Sequence, residues 1–301
     1  GPNTGDEILI IQMYGQYAGQ YETAFISAVN DPNTSLVSGA TITISQSQPL
    51  TKNYDTYAQV VRVPKFNSVT VCGGSGNPIP ACTGAGTLTA STYSSSTGLG
   101  GILFFRATGT VTNNGTIDMT GRGYQAGAGS STSAKGYQGS SYQNLLGSPA
   151  QLNTANYSGG GGGGSMTNCG AGATNTGGAG GGGSHASVGT SGGPGDTGVC
   201  GIGATSIYGF SDLTTFTMGG GGGGGGMGRS SGSCHTGKNG GAGGGIVRIQ
   251  AGTIDTGNGY IKANGGISNG GETRGGAGGS GAGGSVYLEG GMANLGSAGG
   301  V

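Results

Sequence analysis

The run MGGGGGGGGM, residues 218–227, decides how this chain can fold. Eight consecutive glycines offer no side chain to bury, so they add nothing to a hydrophobic core. Ordering them costs about 1–2 kcal/mol per residue in backbone entropy. Two outcomes are open. The run is a flexible linker, or it is an extended helix of polyproline-II type, with about three residues per turn and about 3.1 Å rise per residue. In the second case side-chain-free helices pack shoulder to shoulder and satisfy their N–H and C=O groups between neighbours. Met218 and Met227 bracket the run, an apolar segment (202–216) precedes it, and shorter runs recur at 159–164, 180–183 and 241–245. A hinge needs one such run, whereas a lattice of rods needs many. The recurrence favours the lattice, although glycine-rich composition by itself reads as disorder.

The composition divides the chain. Of 79 glycines, 22 lie in residues 1–150 and 57 in the remainder. The first half can therefore bury an ordinary core, and the second must be held by backbone hydrogen bonds. Charged residues make up 7% and balance to zero net charge. Nucleic acid and anionic membrane surfaces are disfavoured as partners, because both demand basic patches. No apolar run approaches the roughly 20 residues of a membrane span, so no membrane insertion is expected. Few Lys and Glu, much Ser, Thr, Asn, Gly and Tyr, and five cysteines point to an extracellular or cell-surface protein.

In the first half, residues 6–13 read as a strand whose run Ile8-Leu9-Ile10-Ile11 is buried on both faces. Further strands are expected at 22–29, 41–45, 59–63 and 68–72, punctuated by Asn30-Asp31-Pro32-Asn33, Gln48-Pro49 and Pro64. No stretch keeps a 3.6-residue apolar period, which predicts little α-helix. Cys72 and Cys82 flank a loop holding Pro78 and Pro80. A disulfide there is worth about 2–3 kcal/mol in the chain-entropy model. A redox or metal pair lacks the CxxC spacing.

Three later segments resemble one another: residues 100–118, 244–255 and 284–291. Each passes from small residues into a short apolar strand. In the first two, Gly-Thr-Val and Gly-Thr-Ile then open a second strand at matching places. Such a repeat predicts a mostly β fold, either a short-strand sandwich or β-helix-like coils, with an inserted bundle of polyglycine-II helices. The expected domains are an N-terminal β domain (1–98) and a strand-repeat domain (99–301) with a glycine-rich insertion at about 122–243. Two of Cys169, Cys200 and Cys234 are expected to tie the insertion by a disulfide, leaving one thiol free.

Residues 5–13, 59–64 and 115–118 followed by Gly121-Arg122-Gly123-Tyr124 resemble a group of secreted bacterial glycine-rich surface proteins of adhesin type. The glycine blocks are also similar to the polyglycine-II regions of phage tail-fibre adhesins and of anaplastic lymphoma kinase-type receptor ectodomains. The resemblance implies a surface-exposed fold and lends no catalytic residue.

Chemistry is hard to find. His185 and His235 with the insertion cysteines lack the ligand spacing of structural zinc sites, so no metal and no cofactor is expected. GxGxxG-like patterns lack the strand–turn–helix setting and the lysine that phosphate binding needs. The scattered carboxylates form no evident glycosidase pair, and no nucleophile elbow appears, so no enzyme is expected. Recognition remains. Thirteen tyrosines without tryptophan, among Asn, Ser and Thr, suit a binding surface. The candidates are Tyr124, Tyr137, Tyr142 and Tyr157, with Tyr208, Arg229 and His235 expected at the far end of the rods. The reading is an extracellular adhesin or fibre-tip module, free-standing or part of a larger surface fibre, that binds a cell-surface glycan or protein. The alternatives are a matrix or coat protein assembling through its rods and, behind it, an ice-binding protein.

Overall fold

The computed structural model describes residues 3–30, 41–47, 49–74, 82, 84–131, 135–143, 159–160, 175–196, 200–230, 233–271 and 274–294. The chain is mostly β, and no helix occurs among the described residues. The expected early strands form as β1 (Glu7–Gln12), β2 (Tyr21–Asn30), β3 (Thr41–Ile44) and β4 (Ala58–Arg62). They make one antiparallel sheet in the order β3-β2-β1-β4. The apolar run of β1 serves two cores. Ile8 and Ile10 pack with Ala24 and Ile26 on one face. Leu9 and Ile11 pack on the other with Val63, Ile102, Phe104 and Ile246. Side chains alternate across a strand, so four apolar residues in a row mark one covered on both sides.

The remaining strands are β5 (Lys65–Phe66), β6 (Val69–Val71), β7 (Thr87–Leu88), β8 (Ile102–Asn113), β9 (Thr116–Asp118), β10 (Gly228–Ser230), β11 (Ser233–His235), β12 (Ile246–Asp255), β13 (Tyr260–Lys262) and β14 (Ser285–Asn294). Apart from the β10–β11 pair they stack as coils. Each coil gives a strand to one parallel sheet (β14-β12-β8, then β5 and β6) and the first three give a short strand to another (β13-β9-β7). The three similar segments lie side by side in register, with Ile246 beside both Ile102 and Ser285. Thr253 and Ile254 pair with Thr110 and Val111 beyond a bulge at Ala251. The matched Gly-Thr-Val/Ile motifs are therefore neighbouring positions of successive coils. They do not open a second strand as expected: β8 and β12 run unbroken through Gly109 and Gly252, with the irregularity absorbed by the bulge. Between the two parallel sheets lie Phe105, Val111, Ile117, Met119, Val247, Ile249, Ile254 and Ile261. Each large apolar side chain fully buried there contributes about 1.5–3 kcal/mol.

Strand pairing crosses the boundary expected at residue 98. β5 and β6 pair with β8, and β7 pairs with β9, so residues 65–88 form the first coil of the stack. A parallel coil fills its hydrogen bonds only against a neighbour, which ties this one to the coil of β8 and β9. The antiparallel sheet is tied in as well, because Arg106 on β8 holds the Glu7 carboxylate through Nε at 2.8 Å and Nη2 at 2.6 Å. Cys72 and Cys82 are joined by a disulfide just after β6, as the loop spacing predicts. Between the sheets, Arg248 lies buried with its guanidinium over Tyr21, Phe104, Phe216 and Tyr287 at 4.7–5.6 Å.

Candidate functional site

Residues 219–226 lie at the centre of the glycine-rich half, and their hydrogen bonds repeat every three residues. The amides of Gly219, Gly222 and Gly225 donate to the carbonyls of Gly244, Gly241 and Lys238. Those of Gly220, Gly223 and Gly226 donate to Ser184, Gly181 and Gly178, and those of Gly221 and Gly224 to Ser140 and Tyr137. The carbonyls of Gly219, Gly222 and Gly225 accept from Tyr124, Gly127 and Ser130. Those of Gly220, Gly223 and Gly226 accept from Ala282, Gly279 and Gly276, and Gly221 accepts from Gly160. Six segments thus surround one, and every amide of the run is used.

Glycine is required because the backbones touch. A Cβ at Gly222 would lie 2.1 Å from the Gly279 oxygen, and one at Gly225 would lie 1.9 Å from that of Gly276. The hydrogen-bonded segments also extend past the insertion expected at about 122–243, since Gly276, Gly279 and Ala282 donate to the central run. Of the run at 159–164, residues 161–164 lie outside the described residues.

The bundle has two unlike ends. At the near end, residues 238–245 and 274–284 run directly into β12 and β14. At the far end, β10 and β11 pair antiparallel, Arg229 and Asn175 exchange backbone bonds of 2.7 and 2.9 Å, and Gly177 donates to the Arg274 carbonyl. Backbone pairing places Arg229, Lys238 and Arg274 towards this end, with Lys135 two residues before Tyr137, and here His235 Nε2 lies 2.9 Å from the Ser230 hydroxyl. The Asp196 carboxylate there is engaged, accepting from the Thr176 amide at 2.7 Å.

The seven candidate residues separate accordingly. Tyr124 is 1% exposed, its ring edge-on to Tyr93 and its hydroxyl donating to the Met13 carbonyl. Tyr208 is 5% exposed and donates to the Met218 carbonyl at 2.7 Å. Neither presents a ring to a ligand, which corrects the expectation for both. Their rings fill the junction between rods and sheets, where glycine has nothing to offer. Tyr208 also lies at the near end, opposite to its expected place. Tyr142 is half-buried against Tyr208, with ring centroids 4.6 Å apart. Arg229 and His235 lie on the β10–β11 pair at the far end, and Tyr137 lies level with Gly224 on the way to it, each half-buried. Tyr157 lies outside the described residues. Lys135, Lys238 and Arg274 escaped the sequence reading. Their signal was isolated cations in glycine-rich stretches of a chain with 11 Lys and Arg.

At the near end His185 is buried. Its Nε2 lies 2.9 Å from the Thr217 hydroxyl and its ring stands edge-on to Tyr208. Burial pushes its pKa down to about 4. Cys234 on β11 is disulfide-bonded and Cys200 is a free thiol, while Cys169 lies outside the described residues. Among the described residues no three His, Cys, Asp or Glu side chains cluster to hold a metal ion, and no helix is long and apolar enough to cross a membrane. No family model, curated protein or solved structure matches the chain.

Proposed function

We propose that this chain is an extracellular recognition module, an adhesin or the tip of a surface fibre, in which polyglycine-II helices carry binding loops away from a β stack. One observation carries the reading: a run of eight glycines with six hydrogen-bonded neighbours and a three-residue repeat. An extended rod of eight residues at about 3.1 Å each spans about 25 Å. Interlocked by backbone bonds, such rods hold their far-end loops rigid, and rigid scaffolds with loops at their tips are where binding residues collect. Towards the far end Tyr137, Arg229 and His235 are accompanied by three further cations, which suits a glycan or protein surface bearing acidic groups. The disulfides fit an oxidising compartment. Recognition here involves no bond making.

The test is binding to cells and to a glycan array by Tyr137→Ala, Arg229→Ala and His235→Ala. Tyr17→Ala and Tyr57→Ala, exposed on the N-terminal sheet, serve as controls. Loss of a hot-spot side chain costs about 2 kcal/mol, roughly thirtyfold in affinity. Binding that survives all three far-end variants and fails in the controls would move the site to the N-terminal sheet. A second reading, a matrix or coat protein, draws on a different feature of the bundle, a lattice position left open.

A further inference from the structure

The rod at residues 178–184 has described neighbours on every side but one. It bonds to the central run, to 274–280 through Gly177, Gly180 and Gly183, and to 190–193 through Ala179 and Gly182. It also accepts from Gly201 and Ala204, and a Cβ at Gly160 would strike the Gly181 oxygen at 2.0 Å. Between 280–284 and 186–190 there is instead a cavity of about 330 Å³, floored by Gly182 and Gly183. Its lining runs over residues 182–183, 185–190 and 280–284 and includes backbone groups without partners. Among the described residues, the Gly183 carbonyl accepts no hydrogen bond, and the Ser280 and Thr190 amides donate none. A three-residue-per-turn chain presents its C=O and N–H groups alternately around its axis, so one further rod would meet each with its complement.

The groove leads on to a sheet edge. Gly284 and His185 also line a second cavity of about 400 Å³ beside Ser285 and Val286, at the start of β14. β14 pairs with β12 alone, and its other edge has no partner among the described residues. Within the molecule the same succession already occurs. The rods at 241–244 and 279–282 bond side by side and run into β12 and β14, which pair side by side.

We propose that groove and edge together dock one segment of another chain, a glycine-rich rod running into an apolar β-strand, laid beside residues 280–288 as the next coil. The inference rests on the polyglycine-II reading above. Its partner is defined by chemistry: about five residues with no Cβ at the groove, followed by a strand that takes up the β14 edge.

Gly182 makes the test clean. At its rod neighbours Gly180, Gly181 and Gly183 a Cβ meets backbone at 2.1–2.3 Å, whereas at Gly182 its nearest neighbours are the Thr190 nitrogen at 3.4 Å and the Ser280 oxygen at 3.6 Å. Gly182→Ala therefore folds, and places its methyl group where the docked backbone would run. The probe is a fluorescein-labelled peptide of six glycines followed by Ser-Val-Tyr-Leu-Glu, the sequence of residues 285–289. Fluorescence anisotropy with the full chain should show saturable binding. Binding should fall at least tenfold in Gly182→Ala and when alanines replace the peptide's glycines. It should persist in Gly270→Ala, whose Cβ meets nothing within 4 Å. Hydrogen exchange at residues 219–226 is measured on the same sample. Protected amides without saturable binding, or with equal binding by Gly182→Ala, overturn the docking inference and leave the lattice standing. Unprotected amides overturn both. Sedimentation velocity without peptide gives the remaining outcome: a dimer abolished by Gly182→Ala would assign the groove to a second copy and overturn the separate partner.

Discussion

The β stack and the rod bundle are held by opposite means. In the stack, side chains do the work: Ile117, Val247 and Ile249 are sealed between two parallel sheets, and the backbone supplies the spacing. In the bundle the backbone does the work, and side chains are excluded because neighbouring chains approach within the volume of a methyl group. Hydrophobic cores tolerate exchange among side chains of similar volume. A backbone lattice tolerates no Cβ at an interior position. The two regions should therefore answer the same size of chemical change very differently.

Adding one methyl group is the sharpest way to break that comparison. Gly222→Ala sets a Cβ 2.1 Å from the Gly279 oxygen, and it should destabilise the bundle by on the order of 4 kcal/mol. Thermal unfolding should show the bundle melting before the stack. Equal melting of the variant and the parent chain would mean that the rods are not packed.

The next effect tests the seam between the regions. His185 is held neutral by burial, with a pKa of about 4 against an ordinary 6.5. Between those values the unfolded chain binds the extra proton, so stability is full above about pH 6.5 and falls as the pH drops toward 4. The loss should reach about 3 kcal/mol at most, from 1.36 kcal/mol per pKa unit. Urea titrations from pH 7 to 4 measure it, and His185→Gln should flatten that part of the profile. An unchanged slope in the variant would place the titration elsewhere.

Removing one methylene from the stack is a smaller change. Ile249→Val, at a position with 0% exposure, should cost about 1 kcal/mol, read as a shift in the urea midpoint. A cost as large as that of Gly222→Ala would erase the distinction between the regions. The smallest effect belongs to a glycine at the bundle's margin. Gly270→Ala meets no atom within 4 Å and should shift stability by less than about 0.5 kcal/mol. A severe loss there would mean that glycine is needed for some reason other than close packing.

The sequence carried part of the stack plainly. Ile8–Ile11 announces a strand covered on both faces, because apolar runs are written in side chains. The repeated Gly-Thr-Val/Ile motif, by contrast, marked a repeat but left sandwich and β-helix-like coils both open, and the second strand expected at it is a continuation of the first. The sequence hid the join at residue 98, since a two-residue strand such as Lys65–Phe66 has no pattern of its own. The rods at 274–284 were missed for a related reason. Ala277, Ser280 and Ala282 interrupt the glycines there, yet the bundle accepts small side chains wherever a rod faces outward. Run length identifies an interior rod but not a surface one. The far end was half legible: Arg229 and His235 stood out, while Lys238 and Arg274 are brought towards it by backbone pairing that no local spacing records. Tyr124 and Tyr208 misled because a ring at the junction of rods and sheets is packing material, and composition cannot separate that from a contact face.

The central claim is that residues 219–226 are an ordered rod in which every amide is hydrogen-bonded. Hydrogen exchange of their amides tests it most directly, because each amide from Gly219 to Gly226 donates to a neighbouring segment at 2.8–3.0 Å. The account predicts that all eight are protected together and exchange only when the bundle opens as a unit. Exchange at random-coil rates along the run, with the stack still protected, would contradict it and leave a flexible tether in place of a scaffold.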